Sequence, residues 1–300
     1  MSTLTTTRGV DKAAALTGAP HENLLKERLF RGVLLACLVF ATFFLVVLFA
    51  YIIIEGAARF DANLFLNQFS QISPETAGGQ SAILGTIYLG LLVIAITVPL
   101  GTAAAVYLEE YGTKGSRLSR TIDLNIQNLA AVPSVVYGLL GLGIFVRVIF
   151  GEPTLLVGGL ILSLLVLPVV IVAAREAIKA VPPSLREGSL GLGATRWQTT
   201  WKMVLPNAIP GIATGVILAV SRAIGEAAPL VVIGVGLITF NPNSLDDRFT
   251  ALPILIFDTA KRPQEAFQDL SAALIIVSLI LLIVLNSTAI FIRNRYTRKW

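Results

Sequence analysis

Two opposite charges stand within a long apolar stretch of this chain. Arg222 and Glu226 are four residues apart in the segment Ser221-Arg-Ala-Ile-Gly-Glu-Ala-Ala-Pro229. Four-residue spacing places two side chains on the same face of a helix. A charge at the centre of a membrane helix costs roughly 2.5–3.5 kcal/mol, and such residues usually line a bundle interior or a substrate pathway. The alternative is a structural ion pair that only locks the helix, and we favour the pathway.

Arginine suits the binding of an oxyanion, because its planar guanidinium is permanently charged and presents several N–H donors. Glu226 is expected to keep Arg222 charged and oriented when no anion is present. Ser134, which directly follows Pro133, could add a neutral donor, although serine in a membrane helix more often joins neighbouring helices. These residues predict an anionic substrate without specifying which anion.

A second group of residues forms the longest polar interruption between two apolar runs, at positions 181–210. Ser184 and Glu187 have the spacing of a capping box, which predicts a short helix after Pro183. Gly193 is placed to end this helix, because glycine readily adopts the left-handed conformation found at helix C-termini.

A second short helix is predicted directly after the first. Thr195 and Gln198 have the spacing of another capping box. Pro206 is expected to end this helix at Leu205, since proline disfavours a helical conformation in the residue before it. The segment is therefore predicted to be a hairpin of two short helices outside the apolar runs.

The faces of the predicted hairpin differ in character. Trp197, Trp201 and Leu205 recur at every fourth position and form one apolar stripe. The tryptophans could anchor the hairpin at the membrane interface. However, small residues surround the lone Glu187, and they favour a docking element that enters a groove of a soluble partner. These small residues are Gly188, Ser189, Gly191, Gly193 and Ala194.

The same hairpin resembles the EAA loop of ABC importer permeases, whose pattern is Glu-Ala-Ala, three residues, Gly, nine residues, an aliphatic residue, one residue and Leu-Pro. The chain keeps the spacing and departs only at Gly188, Ser189 and Met203, where each change preserves size or apolar character. The resemblance implies a cytoplasmic coupling helix in a cleft of an ATP-hydrolysing subunit. It assigns the coupling role to Glu187, Gly188, Ser189, Gly193, Leu205 and Pro206.

The composition is that of a membrane protein. Of the 300 residues, 55% are hydrophobic and 14% are charged. Cys37 is the only cysteine, so no disulfide framework exists, and the only histidine, His21, argues against a histidine metal site. We attribute the net charge of +5 to cytoplasmic loops rather than to nucleic-acid binding.

The apolar runs predict an all-α polytopic fold with six transmembrane helices. They are expected at 32–54, 82–108, 124–150, 155–174, from near 209 past 229, and 270–292. The run from Pro229 to Phe240 either continues the fifth span or re-enters the membrane, and a polar loop is expected at 241–269. Residues 1–28 are predicted to be a cytoplasmic tail, and 29–300 a transmembrane domain with coupling helices at about 181–206.

The distribution of basic residues sets the expected orientation. With the N-terminus inside, the cytoplasmic segments hold 17 lysines and arginines, whereas the outer segments hold five. The positive-inside rule therefore places both termini in the cytoplasm. The segments predicted to be cytoplasmic are 1–28, 109–120, 175–206 and 293–300.

A further resemblance comes from Ala131-Val-Pro-Ser-Val-Val-Tyr-Gly138 together with Ser221–Leu230. Both segments resemble the permeases of phosphate-specific ABC importers, and the Glu-Ala-Ala-Pro ending is closer to the PstA-type subunit than to the PstC type. The resemblance implies the type I importer (MetI-like) permease fold in a bacterial plasma membrane. The implied partners are a PstC-like second permease, two PstB-like ATPase subunits and an extracytoplasmic PstS-like phosphate-binding protein.

The favoured function is a non-enzymatic membrane subunit of a phosphate importer, with Arg222, Glu226 and Ser134 in its pathway. No P-loop motif occurs in the chain, so ATP and Mg are expected on the ATPase partner. A permease for sulfate, molybdate or phosphonate is the alternative within the class. A secondary transporter or channel would be favoured by an inverted repeat, and no clear repeat is found. An intramembrane enzyme is disfavoured, because the spans lack histidine and paired carboxylates.

Overall fold

The computed structural model describes residues 24–113 and 116–296 of the chain. Within these residues the protein is helical, with one isolated β-bridge between Thr154 and Arg248. The predicted all-α class is confirmed. The chain divides into two units, Met1–Tyr51 and Ile52–Trp300. Most of the predicted tail lies outside the described residues, and its last residues belong to the first helix.

The described residues form twelve α-helices: α1 Leu24–Ala57, α2 Ala62–Leu66, α3 Gln80–Val106, α4 Arg117–Ala130, α5 Ser134–Leu140, α6 Leu155–Lys179, α7 Pro183–Gly191, α8 Arg196–Thr199, α9 Leu205–Gly225, α10 Ala228–Val232, α11 Leu252–Ala260 and α12 Glu265–Tyr296. Three of them continue into π-helical segments. These segments are Tyr107–Tyr111 after α3, Gly141–Phe150 after α5 and Thr200–Val204 after α8.

Five continuous helices in the described part of the chain are long and apolar enough to cross a membrane. They are based on α1, α3, α6, α9 and α12. A sixth span is obtained when α4 and the helix from Ser134 to Phe150 are counted together, and these two are bent by 100°. The predicted number of six spans therefore agrees with the structure only when this bent pair is counted as one.

The predicted third span at 124–150 is broken rather than straight. Its first part is α4, which begins at Arg117 because the Ser116 hydroxyl accepts a hydrogen bond from the Ser119 N–H at 3.1 Å. The helix ends at Ala130, and the next one begins at Ser134. Pro133 accounts for the break, because it lacks an N–H donor and disfavours a helical conformation in the preceding residue.

The fifth span begins at Arg196, well before the predicted start near Ile209. The prediction that Pro206 ends a helix at Leu205 is wrong, since the helix runs without interruption to Gly225. The π-helical turn Thr200–Val204 widens the helix just before the proline, which relieves the clash between its ring and the preceding turn.

The apolar run after Pro229 does not continue the fifth span. The short helix α10 ends at Val232, and Gly234 then turns the chain with a φ of 84°. The segment 241–269 is not simply a polar loop, because α11 lies within it and buries Leu255. Polar flanks concealed this helix, whose nine residues are too few to span a membrane.

Small residues let the central helices α3, α6 and α9 pack closely. A Cβ on Gly215 of α9 would lie 2.1 Å from the Ala173 Cβ of α6, and a Cβ on Gly159 of α6 would lie 2.2 Å from Cδ2 of Leu92 in α3. The largest buried cluster fills the space around these helices. Close contacts at these small residues therefore join α6 to both α9 and α3.

Candidate functional site

The first part of the predicted hairpin is α7, and its start differs from the prediction. The helix begins at Pro183, and Pro182 is its N-terminal cap residue. Ser184 therefore lies inside the helix and makes no side-chain cap, so the capping box with Glu187 is absent. A proline at the first helical position, with its φ already suited to a helix, takes the place of the capping box.

The turn that follows α7 has the predicted geometry. Gly193 has a φ of 86°, which is the left-handed conformation. Its N–H donates to the carbonyl of Leu190 at 2.9 Å, and the Ala194 N–H donates to the carbonyl of Ser189 at 3.2 Å. These two bonds satisfy the last carbonyls of α7 and end the helix. Gly193 thus has the predicted role in the turn.

The predicted second capping box is also present. The Thr195 N–H donates to Oε1 of Gln198 at 2.9 Å, and the Gln198 N–H donates to Oγ1 of Thr195 at 3.3 Å. The hydroxyls of Ser189 and Thr199 lie 3.0 Å apart and join α7 to α8. Hydrogen bonds therefore fix the angle between the two helices.

The outer surface of the hairpin is open. Glu187 and the glycines at 188, 191 and 193 are exposed, and a Cβ added at any of these glycines would meet no atom within 4 Å. Trp197 and Trp201 are also exposed, with ring centroids 5.3 Å apart. A flat surface of small residues beside an acidic side chain can accept the close approach of another backbone.

Leu205 is partly buried, whereas Pro206 is exposed. Both belong to the continuous helix of the fifth span, where Leu205 packs against a buried cluster that contains Val204 and Ala208. Of the residues to which the resemblance assigns coupling, Glu187, Gly188 and Gly193 are exposed, whereas Leu205 fixes the hairpin to the membrane helices. The sequence pattern thus combines an exposed surface with a residue that attaches it to the membrane helices.

Arg222 and Glu226 do not share one helix, although their spacing predicts a common helix face. Arg222 is in the last turn of α9, but the helix ends at Gly225 and Glu226 has an extended conformation with a φ of −88° and a ψ of 110°. None of the ion pairs in the described part of the chain joins the two residues. Four-residue spacing brings side chains together only while the helix continues, and here it ends between them.

The two segments that carry the second resemblance nevertheless lie against each other. A Cβ on Gly138 of α5 would lie 2.8 Å from the Pro229 Cα and 2.9 Å from the Val232 Cβ of α10. The Tyr137 hydroxyl donates to the carbonyl of Leu129 at 2.8 Å, which ties α5 back to α4 across the break. Arg222 is close enough to Tyr137 to interact with it electrostatically.

Ser134 is the first residue of α5 and is partly buried. It therefore lies on one side of the packed pair α5 and α10, while Arg222 and Glu226 come just before α10 on the other. The contact of Gly138 with Pro229 joins the helix that begins at Ser134 to the segment that follows Arg222 and Glu226, and the role of these three residues in a pathway stays a prediction. In the described ranges, no group of three His, Cys, Asp or Glu residues is placed to hold a metal ion.

Comparison with known proteins identifies the family. Residues 97–299 match the model of the family described as the inner membrane component of binding-protein-dependent transport systems. The chain belongs to this family. The match begins within α3 and includes the hairpin, the broken third span and Arg222.

Curated relatives cover most of the chain. It is 35% identical over 226 residues to phosphate transport system permease protein PstA 1 of Mycobacterium tuberculosis strain CDC 1551, which is 74% of this chain and 73% of that protein. It is 32% identical over 275 residues to phosphate transport system permease protein PstA of Yersinia pestis, which is 90% of this chain and 92% of that protein.

Solved structures show the same fold. The bacterial alginate ABC transporter in complex with its alginate pentasaccharide-bound periplasmic protein gives a TM-score of 0.66 at 18% identity, over 93% of this chain and 98% of that one. The inward-facing MetNI methionine ABC transporter gives a TM-score of 0.57 at 20% identity, over 73% of this chain and 94% of that one. The predicted type I ABC importer (MetI-like) permease fold is confirmed.

Proposed function

We propose that this chain is the transmembrane permease subunit of an ATP-driven phosphate importer. The observation that carries this proposal is its 32–35% identity, over most of its length, to proteins named as phosphate transport system permeases. The chain forms half of the translocation pathway and is paired with a PstC-like second permease. A PstS-like extracytoplasmic protein delivers phosphate, and two PstB-like subunits bind ATP and Mg.

The open hairpin is the proposed contact with the ATPase. Its exposed face around Glu187 and the three glycines has the small-residue surface that a cleft on a partner requires. The rigid connection from α8 into the fifth span means that any displacement of the hairpin moves that span directly. Closure of the ATPase dimer on ATP would therefore alternate the access of the pathway between the two sides of the membrane.

Arg222 is the proposed anion-binding residue of the pathway. Because none of the ion pairs in the described part of the chain includes Arg222, its charge is available to an incoming oxyanion. Ser134, the first residue of α5, would add a neutral donor. Glu226 forms no ion pair with Arg222 in the described part of the chain, so its proposed role is to repel phosphate when the pathway should be empty.

The proposed topology can be tested with two single-cysteine variants. After replacement of Cys37 by alanine, Ile72→Cys and Leu192→Cys each introduce a thiol at a highly exposed position, since these side chains are 93% and 91% exposed. In intact cells a membrane-impermeant maleimide is expected to label Ile72→Cys from outside. Leu192→Cys should react only after the cells are opened, because the hairpin faces the cytoplasm. Labelling of Leu192→Cys from outside would contradict the proposed function.

Anion selectivity tests the substrate. The chain and its three proposed partners are expressed in bacterial cells that lack their own phosphate importer, and uptake of labelled phosphate is measured. Phosphate uptake is expected to appear and to resist an excess of sulfate, molybdate or phosphonate. Uptake of one of those anions in place of phosphate would favour the alternative permease for another oxyanion.

A further inference from the structure

We propose that Glu109 and Glu110 form a charged linkage that transmits movement of the ATPase-coupling hairpin to the membrane helices. The two glutamates are neighbours in the π-helical turn Tyr107–Tyr111 at the end of α3. One is bonded to an arginine of the hairpin and the other to an arginine of α6. The inference rests on the proposed function, because it assumes that the hairpin contacts an ATPase.

Arg186 connects the hairpin to two other elements at once. Its Nε and Nη2 donate to Oε1 of Glu110 at 3.0 and 2.9 Å. Its Nη1 donates to the carbonyl of Val181 and its Nη2 to that of Ile178, both at 2.7 Å. Ile178 is in the last turn of α6 and Val181 follows its end, so one guanidinium of α7 contacts the ends of both α3 and α6.

Glu109 extends the linkage to the broken third span. Its Oε1 accepts a hydrogen bond from the Nε of Arg175 at 2.7 Å, and the Nη1 of the same arginine donates to Asp123 of α4. Lys179 is a further cation near Glu109, at 3.8 Å. The ion pairs therefore run, through the adjacent glutamates, from the hairpin to α4, and α4 leads through the break to Ser134.

The linkage is largely shielded from water. The side chains of Arg186 and Glu110 are 23% and 13% exposed, and those of Arg175 and Glu109 are 13% and 10% exposed. Screening by salt is weaker for partly buried pairs than for pairs on the surface. These ion pairs can therefore hold a fixed geometry that exposed pairs would not.

A cavity lies beside these ion pairs, so apolar packing is incomplete there. It has a volume of about 450 Å³ and is lined by Glu109, Glu110, Lys179, Arg186 and Arg196, with Gly112 and Pro183. The hairpin packs on the membrane helices through Leu185 on its other side. Apolar contacts are non-directional, whereas an arginine with several bonds in fixed directions resists sliding. The ion pair therefore adds a directional restraint to the apolar contact that Leu185 of α7 makes with the cluster containing Ala105 of α3.

Stability alone gives a weaker account of these residues. Partly buried ion pairs often contribute little to stability, because desolvation offsets much of the attraction. A linkage that fixes relative position has a different consequence, since its loss uncouples two movements while each part remains folded. The amounts of phosphate moved and ATP hydrolysed distinguish the two roles.

The test uses the complete transporter in proteoliposomes, with phosphate import and ATP hydrolysis measured together. Glu110→Gln and Arg186→Glu are each expected to lower the phosphate imported per ATP by about tenfold, which is within the range of coupling between sites, while hydrolysis continues. The exchanged double variant Glu110→Arg/Arg186→Glu should regain only part of the wild-type ratio, because it restores opposite charges but not the hydrogen bonds to the carbonyls of Val181 and Ile178. Arg186→Lys should give an intermediate ratio, because lysine keeps the charge and loses the directed bonds.

Glu152→Gln is the matched control. It removes an exposed ion pair, with Arg248 at 3.3 Å, in a segment outside the hairpin region where both side chains are more than half exposed. The phosphate imported per ATP by Glu152→Gln should equal that of the wild type. If Glu110→Gln leaves the phosphate imported per ATP unchanged, whether both rates are retained or both fall equally, the proposed linkage is overturned. If a charge-reversal variant fails to assemble, the ratios measured for Glu110→Gln and Arg186→Lys still test the linkage.

The failure of this inference can be told apart from failure of the proposed function. A wild-type complex that imports no phosphate at the expense of ATP would refute the proposed function itself. A wild-type complex that is coupled, together with Glu110→Gln and Arg186→Glu variants that remain equally coupled, would refute only the linkage.

Discussion

Gly193→Val is expected to abolish phosphate transport while leaving the chain inserted in the membrane. The φ of Gly193 is 86°, and a β-branched residue in this conformation costs on the order of 1–3 kcal/mol. A side chain here would meet no atom of this chain within 4 Å, so the damage is to the turn and to a partner that approaches it. Phosphate uptake and pull-down of the ATPase are the measurements.

Two variants separate backbone strain from docking. Gly151→Val is the control for strain, because Gly151 has a φ of 81°, has open space around its Cβ position and lies beyond the third span, away from the hairpin. It should retain ATPase binding. Glu187→Arg reverses an exposed charge without backbone strain and should lose binding. Normal pull-down of the ATPase by both Gly193→Val and Glu187→Arg would argue against docking at the hairpin.

Arg222→Gln is expected to lower phosphate uptake by at least about tenfold while the complex still assembles. A hydrogen bond to a charged group contributes about 1.5–3 kcal/mol, and glutamine keeps a donor but loses the charge. Arg147→Gln is the matched control, since Arg147 is also exposed on an apolar helix but lies in the π-helical segment after α5, beyond the region of Ser134. Its uptake should be close to that of the wild type.

The double variant Arg222→Gln/Glu226→Gln tests the role of Arg222 further. Because the two residues form no ion pair, removal of Glu226 should not compensate for loss of Arg222, and the double variant should stay inactive while assembling normally. Phosphate uptake by the double variant near the wild-type rate would remove Arg222 from the pathway.

The features that the sequence predicted well depend on neighbouring residues. The turn at Gly193 and the Thr195–Gln198 capping box follow from backbone conformation and from hydrogen bonds over three residues. The prediction of a capping box at Ser184 was wrong, also because of neighbouring residues. Pro182 and Pro183 already determine how α7 begins, which leaves no free end for Ser184 to cap.

The features that the sequence could not predict depend on packing or on distant residues. Arg186 and Glu110 are 76 positions apart, and their contact exists only because α7 folds back against the end of α3. The helix through Pro206 continues because a π-helical turn absorbs the proline, which no local pattern indicates. Arg222 and Glu226 had helical spacing, but the helix ends at Gly225, just before Glu226.

The most direct test of the central claim is the ATP turnover of the assembled transporter in proteoliposomes. The proposed function predicts that phosphate together with its binding protein raises the rate of hydrolysis and that labelled phosphate enters only when ATP is present. It also predicts that both effects disappear in Glu187→Arg. Hydrolysis that is indifferent to phosphate and its binding protein, or phosphate entry without ATP, would contradict it.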